Sequence, residues 1–244
     1  MEADLLFYVA TVYLFAGFVK GFSGLGFSAI SIGILATFLE MTTAIPLVVI
    51  PSIASSLLVI VESGSINRAV KTFRAMYLAI FPGLAIGIWL LVGPEGAIAK
   101  TVLGILLLIY AVWALFNSSF AIPERLHTRL NAPIGFLTGA LSGLTGVSVM
   151  PVTPYLLSLN LSPVMFVQTL NIAFVITSSL LVFALGAMGK LNMGILLISV
   201  IAILPVALSV KAGVILRRRA SDKGFRIAVL LVQMFLGLNL VVFS

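Results

Sequence analysis

The chain has 244 residues, 61% hydrophobic and 9% charged, with a formal net charge of +7 and a mean hydropathy of +1.27. A soluble domain carries roughly 25% charged residues, so this chain lacks the polar surface to cover a water-facing core and reads as an integral membrane protein. It has no cysteine, which removes disulfides, thiolate nucleophiles and cysteine metal sites, and its basic residues sit in short loops between apolar runs, a cytoplasmic-loop pattern that argues against a nucleic-acid partner.

The N-terminus, MEADLLFYVA, opens with two acids and shows neither a basic leader region nor a small-residue cleavage site, so no signal peptide is expected. Apolar stretches follow at 5–40, 44–62, 75–93, 97–116, 133–159, 163–188, 193–216 and 225–243. A helical crossing needs about 20 apolar residues, which six of these stretches match as single spans. The stretches 5–40 and 133–159 are longer and are interrupted by Gly, Ser and Pro. Between the halves lies a polar linker, NSSFAIPERLHTRLNA, whose His127 is expected as an exposed loop residue.

The chain repeats itself. Gly17-Phe18-x-x-Gly21 recurs as Gly135-Phe136-x-x-Gly139, Ser23-Gly24-Leu25 as Ser142-Gly143-Leu144, and Ser55-Ser56-Leu57-Leu58-Val59 as Ser178-Ser179-Leu180-Leu181-Val182. The boundaries read as a first repeat over 1–117, a cytoplasmic linker over 118–132 and a second repeat over 133–244. Loop charge fixes the expected topology. If every stretch crossed once, the basic loops 63–74 and 211–226 would lie on opposite faces. If 5–40 and 133–159 each enter and return, both loops and the linker are cytoplasmic, and both termini are outside. Each half then makes an odd number of net crossings. The expected fold is an all-α polytopic membrane protein with two inverted repeats, each a re-entrant helical hairpin plus three transmembrane helices. The 27 residues of 133–159 predict two short arms of about 12 residues, while 5–40 fits either a re-entrant hairpin or two full spans.

In this arrangement the two Gly/Ser tips meet near the midplane. Gly24, Gly26, Gly143 and Gly146 let backbone N–H groups approach a ligand, and the helices resuming after Gly26 and Gly146 turn their positive ends toward it. Ser23, Ser28, Ser142, Thr145 and Ser148 add hydroxyl donors. Lys20 has no acid nearby in sequence to pair with. It is either a counter-charge at membrane depth or a side chain that reaches back to the interface. Gly17 and Gly21 fit close helix packing as well as a site. Gln168 and Asn171 either line a pathway or hydrogen-bond between helices. Pro46, Pro51, Pro82 and Pro205 are expected to kink their helices.

The pattern GFVKGFSGLGFS in one half and GFLTGALSGLTGVSVMP in the other, each followed by an SSLLV segment, resembles the TauE/SafE sulfite exporter family over nearly the whole chain. Where other members often carry further glycines after the first motif, this chain has Phe27 and Ser28. The resemblance implies a transporter of sulfur-containing anions such as sulfite or organosulfonates in a bacterial inner membrane. Together with the residues, it gives a secondary transporter, expected as an exporter, with a small anion and the lipid bilayer as partners. No nucleic acid, metal, cofactor or enzymatic activity is expected, and a homo-oligomer is compatible with the reading. A passive anion channel and a non-transporting membrane subunit are the alternatives.

Overall fold

A computed structural model describes residues 2–23, 26–63, 66–93, 98–116, 122–191, 193–217 and 222–243. Among them the chain is helical and has no strand. In order the helices are α1 (Glu2–Ser23), α2 (Phe27–Leu35), α3 (Met41–Ser63), α4 (Ile66–Val92), α5 (Ile98–Leu115), α6 (Glu124–Thr145), α7 (Val152–Ser158), α8 (Pro163–Ala187), α9 (Met193–Ile201), α10 (Ile203–Arg217) and α11 (Asp222–Val242). Five segments are long and apolar enough to cross a bilayer: Met41–Val61, Ile66–Val92, Ile98–Leu115, Pro163–Ala187 and Met193–Leu216. Large apolar side chains stand outward, Trp89 at 71% and Phe183 at 77% exposure, as lipid-facing surface requires.

The interrupted stretches are built alike, as a 22-residue helix, a break, and a short return helix of 9 residues (α2) or 7 residues (α7). The near-equal arms expected for 133–159 are thus replaced by unequal ones. α6 stays helical through Pro133, so it starts at Glu124, within the polar linker, and carries His127 in its first turns. His127 is half-buried there, with Nε2 donating to Ile122 O at 2.8 Å.

The contacts show that neither unit crosses. Tyr13 of α1 donates to Leu47 O at 2.6 Å, and Lys20 donates to Ser55 and Ser56, so α1 runs alongside α3 in the same direction and stops past its middle. Ser28, at the start of α2, lies beside Ser52, and α2 then returns to the side where α3 begins. The stretch 5–40 is therefore re-entrant, and a helix of 9 residues, about 14 Å long, is too short to span. In the second unit Tyr155 Oη lies 2.8 Å from both His127 O and Asn131 Oδ1, which ties α7 back to the start of α6.

Packing between the halves follows from small residues. Lipid offers no hydrophobic drive for helix association, so membrane helices gain by close backbone approach. Gly135, Gly139 and Gly143 form one stripe on α6. A Cβ at any of them would run into the α4 backbone at Met76, Ile80 or Leu84. Gly17 and Gly21 seat α1 on α10, Gly17 against the Ser209 side chain and Val206 O and Gly21 against the Val210 backbone. Rising numbers meet rising numbers in both pairs, so α1 runs parallel to α10 and α6 parallel to α4. The self-matched helices run oppositely. Gln168 of α8 donates to Ile60 near the end of α3 at 3.3 Å, while Ser178 faces Ser52. Gly104 of α5 meets Gly237 of α11, while Ala111 and Ala114 meet Leu230. A helix antiparallel to its own repeat partner means that the halves are inverted.

This path puts both termini on one face, called here the terminal face. The basic residues Arg68, Lys71, Arg74, Arg125 and Arg129 stand exposed on the other, the basic face. The expected loop 63–74 is helical from Ile66 onward, because Ala69 and Phe73 bury one side while the cations face out. Its backbone departs from helical angles at Phe73 and not at Pro82. The chain also stays helical through Pro46 and Pro51. Only Pro205 coincides with a break, between α9 and α10, where it has no N–H to give Ile201 O.

Candidate functional site

The two tips enter from opposite faces and meet between α3 and α8. A small cavity there is lined by Lys20, Gly26, Phe27, Ser28, Ser52, Ser148, Val149, Phe174 and Ser178. It measures about 10 Å³ for water centres, room for about one water molecule.

Each tip turns at a glycine in the left-handed region, Gly26 with φ 94° and Gly146 with φ 73°, where a Cβ is strained. Two residues later comes a serine, Ser28 or Ser148, at the cavity wall. Gly26 is the N-cap of α2 with no side-chain cap, so the first N–H groups of that helix have no intrahelical partner. The second tip differs from the expected helix N-terminus. Residues 147–151 are not helical, α7 begins only at Val152, and Val147 N–H is spent on Thr145 Oγ1 at 3.3 Å.

Lys20 is 2% exposed. Its Nζ donates to Ser55 Oγ and Ser56 Oγ, both at 2.9 Å, and among the described residues it forms no ion pair. Lys20 also lines the cavity, beside Gly26 and Ser28. Lys20 therefore does not reach back to the interface. Ser28 Oγ shares a hydrogen bond with Ser52 Oγ at 2.8 Å, and Ser148 Oγ lies 2.8 Å from Thr177 Oγ1 and 2.9 Å from Ser142 Oγ.

Of the expected site residues, Lys20, Gly26, Ser28 and Ser148 share the cavity wall. Ser142 stands behind Ser148, with its Oγ 2.5 Å from Thr138 O. Thr145 Oγ1 donates to Leu141 O at 2.7 Å, closing the end of α6. Gly143 faces α4, and Gly146 packs on Ile32 and Ile45. Gln168 and Asn171 are fully buried on α8, toward the basic face from the cavity. Gly24 and the side chain of Ser23 lie outside the described residues. Phe27, Ser52, Val149, Phe174 and Ser178 complete the wall, with Ser55 and Ser56 behind Lys20. The repeated SSLLV segments were the available sequence signal for Ser55, Ser56 and Ser178; Ser52 and Phe174 had none.

The family model described as "Sulfite exporter TauE/SafE" matches residues 9–240. The chain belongs to this family. No curated protein and no solved structure matches it. As a TauE/SafE member it is a multi-pass protein of a transporter family.

Proposed function

We propose that this TauE/SafE protein is a secondary transporter of a small sulfur-containing anion, sulfite or a sulfonate, and that the cavity at Lys20 is its binding site. The observation that carries the reading is a buried lysine whose hydrogen-bond partners among the described residues are hydroxyls, set beside the uncapped start of α2. A cation at this depth costs about 2.5–3.5 kcal/mol on insertion scales, and an anionic cargo offsets that cost when bound. Ser28, Ser52, Ser148 and Ser178 supply hydroxyl donors around it. Positive loops prefer the cytoplasm, which makes the basic face cytoplasmic and the terminal face external. Export of an anion then runs with an inside-negative potential, worth about 2.3 kcal/mol per charge per 100 mV. A cavity with room for about one water supports a carrier that opens to admit its cargo over a standing pore.

The test is binding and flux on purified protein in liposomes, with sulfite, thiosulfate, taurine, sulfoacetate, sulfate and simple carboxylates. Sulfite or a sulfonate should raise the melting temperature and be transported with saturation. Lys20→Gln should weaken binding about ten- to a hundredfold, the range for a hydrogen bond to a charged group, with Lys20→Arg in between. Unchanged affinity in Lys20→Gln would remove Lys20 from the site. A carboxylate preferred over every sulfur anion would remove the cargo class.

A further inference from the structure

The two halves share a plan but differ in polarity on the helix faces that flank the cavity. On α8, Asn171, Phe174 and Ser178 fall on one helical face, with Gln168 a turn before Asn171, and Phe174 and Ser178 line the cavity. The repeat offset of the SSLLV segments maps Gln168 onto Ile45 and Asn171 onto Val48 of α3. Ile45 and Val48 lie on the stripe of Ser52, which also lines the cavity, and both are fully buried. Because α3 and α8 are antiparallel, the carboxamides lie between the cavity and the basic face. Their apolar counterparts lie between the cavity and the terminal face. Lys20 extends the contrast, since it stands past the middle of α3 toward the basic face, while its counterpart on α6 is Thr138.

The terminal side is closed by apolar contact. A Cβ at Gly146 would lie 2.6 Å from Ile32 Cδ1 and 2.9 Å from Ile45 Cγ1, so these two side chains seal the second tip. On α2, Ser31 interrupts the apolar run beyond Ser28, and its buried Oγ has no hydrogen-bond partner among the described residues, so the contrast rests on α3 and α8. On the basic side, Asn171 Nδ2 donates to Val167 O at 2.9 Å, and its buried Oδ1 has no hydrogen-bond partner among the described residues. Buried side-chain acceptors rarely stay unpaired. An acceptor on the approach to a cation-lined cavity suits the water shell of an arriving anion, or a proton that the anion still carries.

We infer that the cavity opens toward the basic face along the Gln168–Asn171 side of α8, and that Ile32, Ile45 and Val48 form a hydrophobic gate toward the terminal face. The inference rests on the cavity being the transport site. Its test reads access and not transport, so the two fail separately.

The chain has no cysteine, so single-cysteine variants carry no background. Asn171→Cys and Val48→Cys are reconstituted in liposomes, sorted by orientation, and treated with a membrane-impermeant, sulfonate-bearing methanethiosulfonate. Both positions are fully buried here, so labelling reports transient opening, and a thiol that stays in apolar surroundings is inert. Asn171→Cys should react from the basic face at least about tenfold faster than Val48→Cys reacts from either face. Adding Ile45→Ser to Val48→Cys should make it reactive from the terminal face. Equal rates for the two cysteines, or reaction of Asn171→Cys from the terminal face only, would overturn the gate. If Asn171→Cys does not insert, Gln168→Cys is judged by the same comparison. The expected labelling without sulfite or sulfonate binding would leave the gate standing and sink the substrate assignment. Binding with the opposite labelling would sink the gate alone.

Discussion

At the residue scale, the proposed binding chemistry rests on Lys20 and the hydroxyls around it. Two of its three donors go to Ser55 and Ser56, and no carboxylate among the described residues neutralises it. Such a group is costly to the empty fold. Lys20→Met keeps the length and removes the buried charge. We expect it to raise the melting temperature without anion by about 2–4 °C, the shift that 1 kcal/mol produces in a chain of this size. The same variant should lose the further rise that sulfite or a sulfonate gives the wild type. Paired melting curves with and without anion check both. A destabilised Lys20→Met would mean that the ammonium holds the empty fold together. Gly26 belongs to this scale too. With φ 94°, Gly26→Ala costs about 1–2 kcal/mol at that residue, and moving the tip should weaken anion binding while the protein still inserts. Gly189→Ala, also at positive φ but with open space around it, is the control, with similar strain and unchanged binding.

At the scale of elements, the glycine stripe on α6 and the tip glycines do different jobs. Gly139 and Gly143 let α6 lie backbone to backbone on α4, against Ile80, Leu84 and Gly87. Gly143→Val should therefore act through packing. We expect reduced folded yield and an aggregated elution profile in detergent, with no selective effect on anion affinity in the folded fraction. Selective loss of binding with normal yield would return Gly143 to the site. The break between α9 and α10 gives a second element-scale test. Pro205→Ala restores the N–H that Ile201 O lacks, so amide exchange over 201–206 should slow. Unchanged exchange there would mean that the break has another cause.

At the scale of the whole molecule, the two re-entrant units set the topology, because each adds an entry and a return without a crossing. Single cysteines at Leu14 and Phe243 should then never report from the basic face, while cysteines at Lys71 and Arg129 should. Labelling of oriented vesicles checks this. A cysteine at position 243 on the same face as one at position 71 would contradict the inverted arrangement. The sequence by itself determined the membrane class from composition, and the repeat with its opposed halves from motif order and loop charge. These properties are sums along the chain, and each signal is local. It also marked Lys20, because a cation without a nearby acid in an apolar run is visible one residue at a time. It did not separate Gly143 from Gly26. Both are glycines next to a serine or a phenylalanine, and only the neighbour decides: the α4 backbone for one, the cavity for the other. It passed over Ser52, Phe174 and Ser178 as site residues, and misread the start of the second return helix, because nothing local ties α1 to α3 and α8. Tertiary packing did that, by bringing the α1 end, the middle of α3 and the middle of α8 to one depth, where lipid offers their polar groups no other partner.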